Sequence, residues 1–125
     1  MILVDTHVLV WARAARDRLS TPARLAIESA GEVVISDITL WELAMLLDKG
    51  RLSIDRPVST YLAEVSASVT VLPITAAVAS KVTDLPDGFP ADPADRIIYA
   101  TAQVHDLELV SADRSIRGAD PGVIW

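Results

Sequence analysis

Short apolar runs alternate along the chain with longer segments that have the spacing of amphipathic helices. The strands predicted from these runs are residues 1–4, 33–35, 69–72 and 108–110, with 122–125 as a final strand. The predicted helices are residues 6–15, 21–30, 37–49, 57–66, 75–82 and 93–105, with 114–116 as a short turn or helix. This alternation predicts an α/β fold, a three-layer α/β/α sandwich with a central, mainly parallel sheet.

Capping and turn residues support several of these boundaries. Thr21 precedes Pro22 and is the predicted N-cap of the second helix. Ser36 or Asp37 is the predicted cap of the third helix, which Gly50 terminates. A loop rich in Pro, Gly and Asp follows at residues 85–90.

Length and composition narrow the class of protein. With 125 residues, 51% of them apolar, the chain is expected to form a single domain over residues 1–125. The absence of cysteine excludes disulfides and thiolate metal sites, and fits a cytoplasmic protein. No basic region precedes the apolar start and no apolar run reaches about 20 residues, so neither a signal peptide nor a membrane span is expected.

The net charge of −6 argues against a broad surface for nucleic acid but not against a nuclease. An enzyme that gathers acids around a metal ion is locally acidic, and the cation can bridge it to phosphate. The sequence also holds a cluster of basic residues that can form a phosphate-contacting edge or simply a solvated helical surface: Arg13, Arg16, Arg18 and Arg24.

Two acids stand where the apolar pattern makes them costly. Asp5 directly follows the first predicted strand, where it can also cap the next helix. Glu42 lies in a helix that is apolar on nearly every side and therefore predicted to be buried. A buried glutamate needs a partner or a cation, although a solvent-facing stripe shared with Thr39 would also explain it.

Three further aspartates lie near the ends of predicted elements. Asp92 is the predicted N-cap of the helix that Pro93 begins, and Asp95 falls in its first turn at the border of an apolar face. Asp113 follows the strand 108–110, where it can also cap a turn at Arg114.

Because ligands of open α/β sheets bind beyond the carboxyl ends of the strands, we expect these acids to converge there. Carboxylates are the ligands of hard divalent cations, and Mg²⁺ commonly takes only one or two of them directly. Zinc is disfavoured, because only His7 and His105 could add nitrogen ligands and both suit structural roles at helix ends. A metal and carboxylate site of this kind points to phosphodiester hydrolysis.

Four blocks of sequence resemble, in order and spacing, those of PIN-domain ribonucleases, in particular the VapC toxins of bacterial toxin-antitoxin pairs. They are LVDTHVLVW at 3–11, ISDITLWELAML at 35–46, ADPADRIIYATA at 91–102 and LVSADRSI at 109–116. The chain departs from the family pattern at Phe89-Pro90-Ala91, Ala94 and Ser111, none of which removes an acid.

The resemblance implies an endoribonuclease that uses Mg²⁺ or Mn²⁺ to cut RNA, often as a homodimer, and that a cognate antitoxin inhibits by covering the site. By motif, the catalytic and metal-binding acids would be Asp5, Glu42, Asp95 and Asp113. Supporting roles would fall to Asp92, Thr6, Ser36, Arg96 and Ser111, with Arg96 placed to neutralise or orient an aspartate.

Other Mg²⁺-dependent folds fit less well. A haloacid-dehalogenase-like phosphatase needs a second aspartate two residues after the first, where this chain has His7. A receiver-type phosphorylation domain needs a lysine beyond a late strand, and neither Lys49 nor Lys81 is so placed. The remaining alternative is a binding module that keeps the PIN scaffold but cleaves little or no RNA.

Overall fold

The computed structural model describes residues 1–125 and contains a sheet of four parallel strands in the order β3-β2-β1-β4. The strands are β1 (Ile2–Val4), β2 (Val33–Ser36), β3 (Thr70–Leu72) and β4 (Glu108–Val110). The central strand β1 pairs with β2 through Leu3 and Val34, and with β4 through Leu3 and Leu109. The four carboxyl ends therefore lie along one edge of the sheet.

Seven helices flank this sheet: α1 (Thr6–Ala14), α2 (Thr21–Ser29), α3 (Ile38–Asp48), α4 (Val58–Ser68), α5 (Ala76–Thr83), α6 (Pro93–Val104) and α7 (Arg114–Ala119). Residues 16–18 add a 3₁₀ turn that the apolar pattern did not predict. The predicted ends of these strands and helices agree with the observed ends within three residues. None of the helices is long and apolar enough to cross a membrane.

Side chains of β1 divide between two apolar cores because successive residues of a strand face opposite sides of the sheet. Ile2 and Val4 pack with residues of α1, α2, α3 and α4, among them the fully buried Leu43. Leu3 packs on the other face with residues of α6 and α7, including Ile98. This confirms the predicted three-layer α/β/α sandwich.

Three local predictions need correction. Ser20, not Thr21, caps α2, with its hydroxyl accepting a hydrogen bond from Ala23 N at 3.2 Å. Asp37 occupies the N-cap position of α3, as predicted, but its side chain does not bond to the helix; its Oδ2 accepts from Ile74 N at 3.2 Å, and the Ser36 hydroxyl accepts from Ile38 N instead. The predicted strand at 122–125 is reduced to a single parallel bridge between Ile124 and Val110.

The surroundings of α3 also differ from the prediction. The helix is not enclosed, since Trp41 remains 56% exposed. Thr39, proposed to share a solvent-facing stripe with Glu42, is fully buried. Glu42 therefore lies on the inward side of a helix whose outer apolar side is open.

Candidate functional site

The carboxyl edge of the sheet borders a cavity of about 390 Å³ that is lined by five carboxylates. Its lining residues are Asp5, Thr6, His7, Trp11, Glu42, Asp92, Asp95, Ala112 and Asp113. The acids come from separate parts of the chain, as the position of the strand ends predicted. No arginine or lysine lines this cavity, so its local charge is strongly negative.

Asp5 is fixed at the end of β1 by two sets of hydrogen bonds. Its Oδ1 accepts from Val8 N at 2.9 Å, which makes Asp5 the N-cap of α1, while the Ser111 hydroxyl donates to Oδ2. The side chain is only 7% exposed. Burial raises the pKa of Asp5, and the hydrogen bond from Ser111 opposes that shift.

Glu42 reaches the cavity from α3 and is held by a hydroxyl of α1. Its Oε1 lies 2.5 Å from Thr6 Oγ1, which in turn lies 3.1 Å from Thr39 Oγ1. Thr6 has one hydroxyl hydrogen, so if it donates to Glu42 the Thr39 hydroxyl must donate to Thr6. Burial raises the pKa of Glu42, and the hydrogen bond with Thr6 opposes that shift.

Asp92 and Asp95 hold different positions at the start of α6. Asp92 is exposed and caps the helix, with Oδ1 accepting from Asp95 N at 3.0 Å. Asp95 is half-buried and forms no side-chain hydrogen bond. Burial raises the pKa of Asp95 to about 7, and the charges of Asp92, Asp113, Glu42 and Asp5 add to the shift.

Asp113 lines the cavity from the segment between β4 and α7. Its Oδ1 accepts from Ser115 N at 2.8 Å and Ile116 N at 3.0 Å, which caps α7. Its own backbone N–H donates to Ser111 Oγ at 3.1 Å. Ser111 therefore links the two acids that follow β1 and β4, by donating to Asp5 and accepting from Asp113.

The chain matches the family model described as the PIN domain over residues 2–120. It is 40% identical over 127 residues to Ribonuclease VapC22 of Mycobacterium tuberculosis, a match covering 99% of this chain and 98% of that protein. The chain belongs to the PIN-domain family, among the VapC proteins.

Solved structures agree on the fold. A toxin-antitoxin complex from Klebsiella pneumoniae holds a chain with a TM-score of 0.73 and 24% identity, covering 100% of this chain and 97% of that one. VapC20 of M. tuberculosis, described as a sarcin-ricin loop cleaving toxin, has a TM-score of 0.70 and 20% identity, covering 96% and 95%. At these identities the likeness concerns the fold of the PIN domain alone.

Three of the supporting residues expected from the PIN motifs lie outside the cavity lining: Ser36, Arg96 and Ser111. Ser111 still contacts Asp5, whereas Ser36 is fully buried and its hydroxyl accepts from Ile38 N at 3.3 Å. Arg96, expected to neutralise or orient an aspartate, forms no salt bridge. Its guanidinium donates instead to the carbonyls of Val82 at 3.2 Å and Pro90 at 3.3 Å, which fastens the loop before α6 to α5.

Three residues of this PIN domain border the cavity without having been predicted to do so: His7, Trp11 and Ala112. His7 is exposed at the cavity, where a positive charge on its ring would favour the ionised forms of Asp5 and Glu42. Trp11 lies beside it, with ring centroids 6.1 Å apart. Their spacing of four residues, beginning two residues after Asp5, is the sequence signal that places both on one side of α1.

The donor set suits a hard cation with most of its water retained. No three Asp, Glu or His side chains are arranged to coordinate one metal ion directly. Mg²⁺ needs only one or two direct carboxylates and reaches other acids through its waters. The free oxygens of Asp95, Asp113 and Glu42, which face a cavity that has room for water, fit that requirement.

Proposed function

We propose that this PIN domain is a Mg²⁺- or Mn²⁺-dependent endoribonuclease and the toxin component of a type II toxin-antitoxin pair. The observation that carries the proposal is the convergence of five carboxylates on one open cavity at the carboxyl edge of the sheet. Burial raises the pKa values of Asp5, Glu42 and Asp95, and the charges of neighbouring carboxylates add to the shifts, an arrangement that a divalent cation would stabilise. The 40% identical relative carries the name ribonuclease.

Asp5, Glu42, Asp95 and Asp113 would hold the metal, one or two of them directly and the others through its waters. When bound, the ion would neutralise phosphate charge and supply an attacking water of lowered pKa. Around it, Ser111 fixes one oxygen of Asp5, and Thr6 fixes one oxygen of Glu42. These hydrogen bonds hold the acids in place before the substrate arrives, which preserves the geometry of the site during hydrolysis.

The surface beside the acidic cavity offers a binding groove for an antitoxin. A groove of about 710 Å³ between α1 and α3 shares His7, Trp11 and Glu42 with the acidic cavity. It continues along apolar side chains that include the exposed Trp41. An antitoxin segment lying in this groove would reach the acids and block access of RNA to the cavity. We also propose that the chain forms a homodimer.

The direct test is cleavage of total cellular RNA by the purified chain with Mg²⁺, with Mn²⁺ and with EDTA. We expect metal-dependent cleavage that Asp5→Asn or Asp95→Asn lowers by more than about 100-fold, because loss of outer-shell partners alone typically costs roughly 10- to 100-fold. Asp87→Asn, which removes an exposed acid outside the cavity, is the matched control. Unchanged cleavage in Asp5→Asn and Asp95→Asn would refute the site assignment.

Calorimetry tests the role of Glu42 in metal binding, and RNA cleavage separates the enzyme from the binding-module alternative. Glu42→Gln should weaken Mn²⁺ binding measured by calorimetry, since it removes one charge from the cavity. Unaltered affinity would limit Glu42 to a structural role. A chain that binds an antitoxin tightly but cuts no RNA under any metal condition would instead be a PIN-scaffold binding module.

A further inference from the structure

A second cavity lies next to the acidic one and has the opposite charge. It measures about 540 Å³ and is lined by Arg114, Arg117, Gly118, Pro121, Val123 and Trp125, with no acid among them. From this geometry we infer that Arg114 and Arg117 form a subsite for a backbone phosphate of the RNA strand, beside the scissile bond. The inference rests on the proposed nuclease function, because the RNA is the same substrate.

The two arginines are free to bind a ligand. Neither forms a salt bridge or a side-chain hydrogen bond, whereas Arg16 and Arg56 are paired with acids and Arg96 with carbonyls. Arg18, Lys49 and Arg51 also lack such partners, but the groove that they line contains Glu42 and Asp92, whereas the cavity of Arg114 and Arg117 contains no acid. Guanidinium groups bind phosphate oxygens with paired, charge-assisted hydrogen bonds.

The basic cavity is connected to the acidic one at two points. Arg114 directly follows Asp113, which lines the acidic cavity. Trp125 of the basic cavity packs against Trp11 of the acidic cavity, with ring centroids 5.6 Å apart and the ring planes tilted by 52°. A strand whose phosphodiester lies among the acids would therefore pass the indole pair and place a neighbouring phosphate between the arginines.

The observations favour RNA over an acidic peptide as the occupant. The cavity is adjacent to the acidic site through Arg114 and Trp125, and indole rings offer surfaces against which unpaired bases can lie. A path that turns past the indole pair also suits a flexible single strand better than a stiff duplex. An acidic protein segment that binds here without RNA becomes an outcome of the test.

The test measures binding of a fluorescein-labelled, single-stranded RNA of ten nucleotides by anisotropy, in EDTA and over a range of salt concentrations. Arg114→Gln/Arg117→Gln should weaken binding about tenfold or more, because each hydrogen bond to a charged group contributes substantially. The slope of log affinity against log salt should fall by about 0.7 for each phosphate that the variant no longer neutralises. The matched control, Arg24→Gln/Lys81→Gln, removes two charges away from both cavities and should change the affinity less than about twofold.

A conservative pair keeps the test independent of folding. Arg114→Lys/Arg117→Lys retains the charge and should restore most of the salt slope and part of the affinity. The subsite is refuted if the Lys pair binds as weakly as the Gln pair, or if the control pair loses as much affinity as the Gln pair. It is also refuted if light scattering shows that the Gln pair alters the oligomeric state, or if only an acidic peptide, and not RNA, loses affinity.

Binding in EDTA does not require hydrolysis, so the two proposals can fail separately. If the wild-type chain cleaves RNA and the Gln pair binds it normally, the subsite is wrong and the nuclease stands. If the Gln pair loses RNA binding but the wild-type chain never cleaves, the phosphate subsite stands and the nuclease proposal fails. When both hold, the Gln pair should mainly raise KM during cleavage.

Discussion

Replacing Asp95 by Asn should stabilise the metal-free protein while it abolishes metal-dependent activity. The pKa of Asp95 is raised to about 7 from an ordinary value of 3.8, because burial and neighbouring carboxylates disfavour its charge. The folded state therefore binds more protons than the unfolded state between about pH 4 and pH 7. Its free energy of unfolding must fall as the pH rises through that window, and level off above it.

The size of the effect follows from the shift in pKa. A difference of about three pKa units corresponds to a ceiling of about 4 kcal/mol at 1.36 kcal/mol per unit. Asp95 is only partly buried, so screening by water and salt reduces this to about 1–2 kcal/mol. For a domain of this size that is an increase of roughly 3–8 °C in Tm for Asp95→Asn at pH 8.

The assay is urea and thermal unfolding of the wild type and Asp95→Asn in EDTA at pH 5, 6, 7 and 8. The stability difference between them should grow with pH and level off above about pH 7. Adding Mg²⁺ or Mn²⁺ should stabilise the wild type more than the variant, since ligand binding to the folded state is coupled to stability. Asp87→Asn, as the control, should show no such growth, and a difference for Asp95→Asn that is independent of pH would refute the electrostatic argument.

Three further substitutions test separate contacts. Asp92→Ala should lower the free energy of unfolding in urea by about 1 kcal/mol, because it removes the cap of α6. Asp92→Asn should be nearly neutral, because Asn caps a helix as well as Asp does. Equal losses for the two variants would contradict the capping role. Ser111→Ala should raise the pKa of Asp5 further by removing a hydrogen bond to its charged form, which a shift of the acid limb of the pH–rate profile to higher pH would show. Arg96→Gln should lower the free energy of unfolding by about 1–3 kcal/mol, because it leaves partly buried carbonyls without a donor. Metal affinity measured by calorimetry should not change, because Arg96 contacts no acid.

The order of strands and helices and the acids that line the cavity could be predicted from the sequence, and the acids could be predicted for one physical reason. Parallel strands place their carboxyl ends on a common edge, so polar residues directly after apolar strands are brought together whatever the details of packing. Asp5 and Asp113 follow this rule through β1 and β4. Asp92 and Asp95 were recognisable because Pro93 marks where α6 begins.

Contacts between distant segments could not be read from the pattern. The bond from Thr6 to Glu42 spans 36 residues and depends on how α1 packs against α3. Arg96 illustrates the same limit, since an arginine next to an aspartate suggests an ion pair. In the fold, the side chain turns toward carbonyl groups that the packing of α5 against α6 leaves without other donors.

Three of the aspartates that line the cavity also cap helices, and capping does not exclude their proposed role at a metal site. Asp5, Asp92 and Asp113 each use Oδ1 to cap a helix, so three helix N-termini point toward the acidic cavity. The positive ends of those helices offset part of the cost of gathering carboxylates there. In Asp92 and Asp113 the second carboxylate oxygen remains available to the cavity, whereas in Asp5 it accepts from Ser111. Asparagine variants are consequently the informative ones: they keep the cap and remove the charge, so a loss of activity without a loss of stability identifies the acid as part of the chemistry.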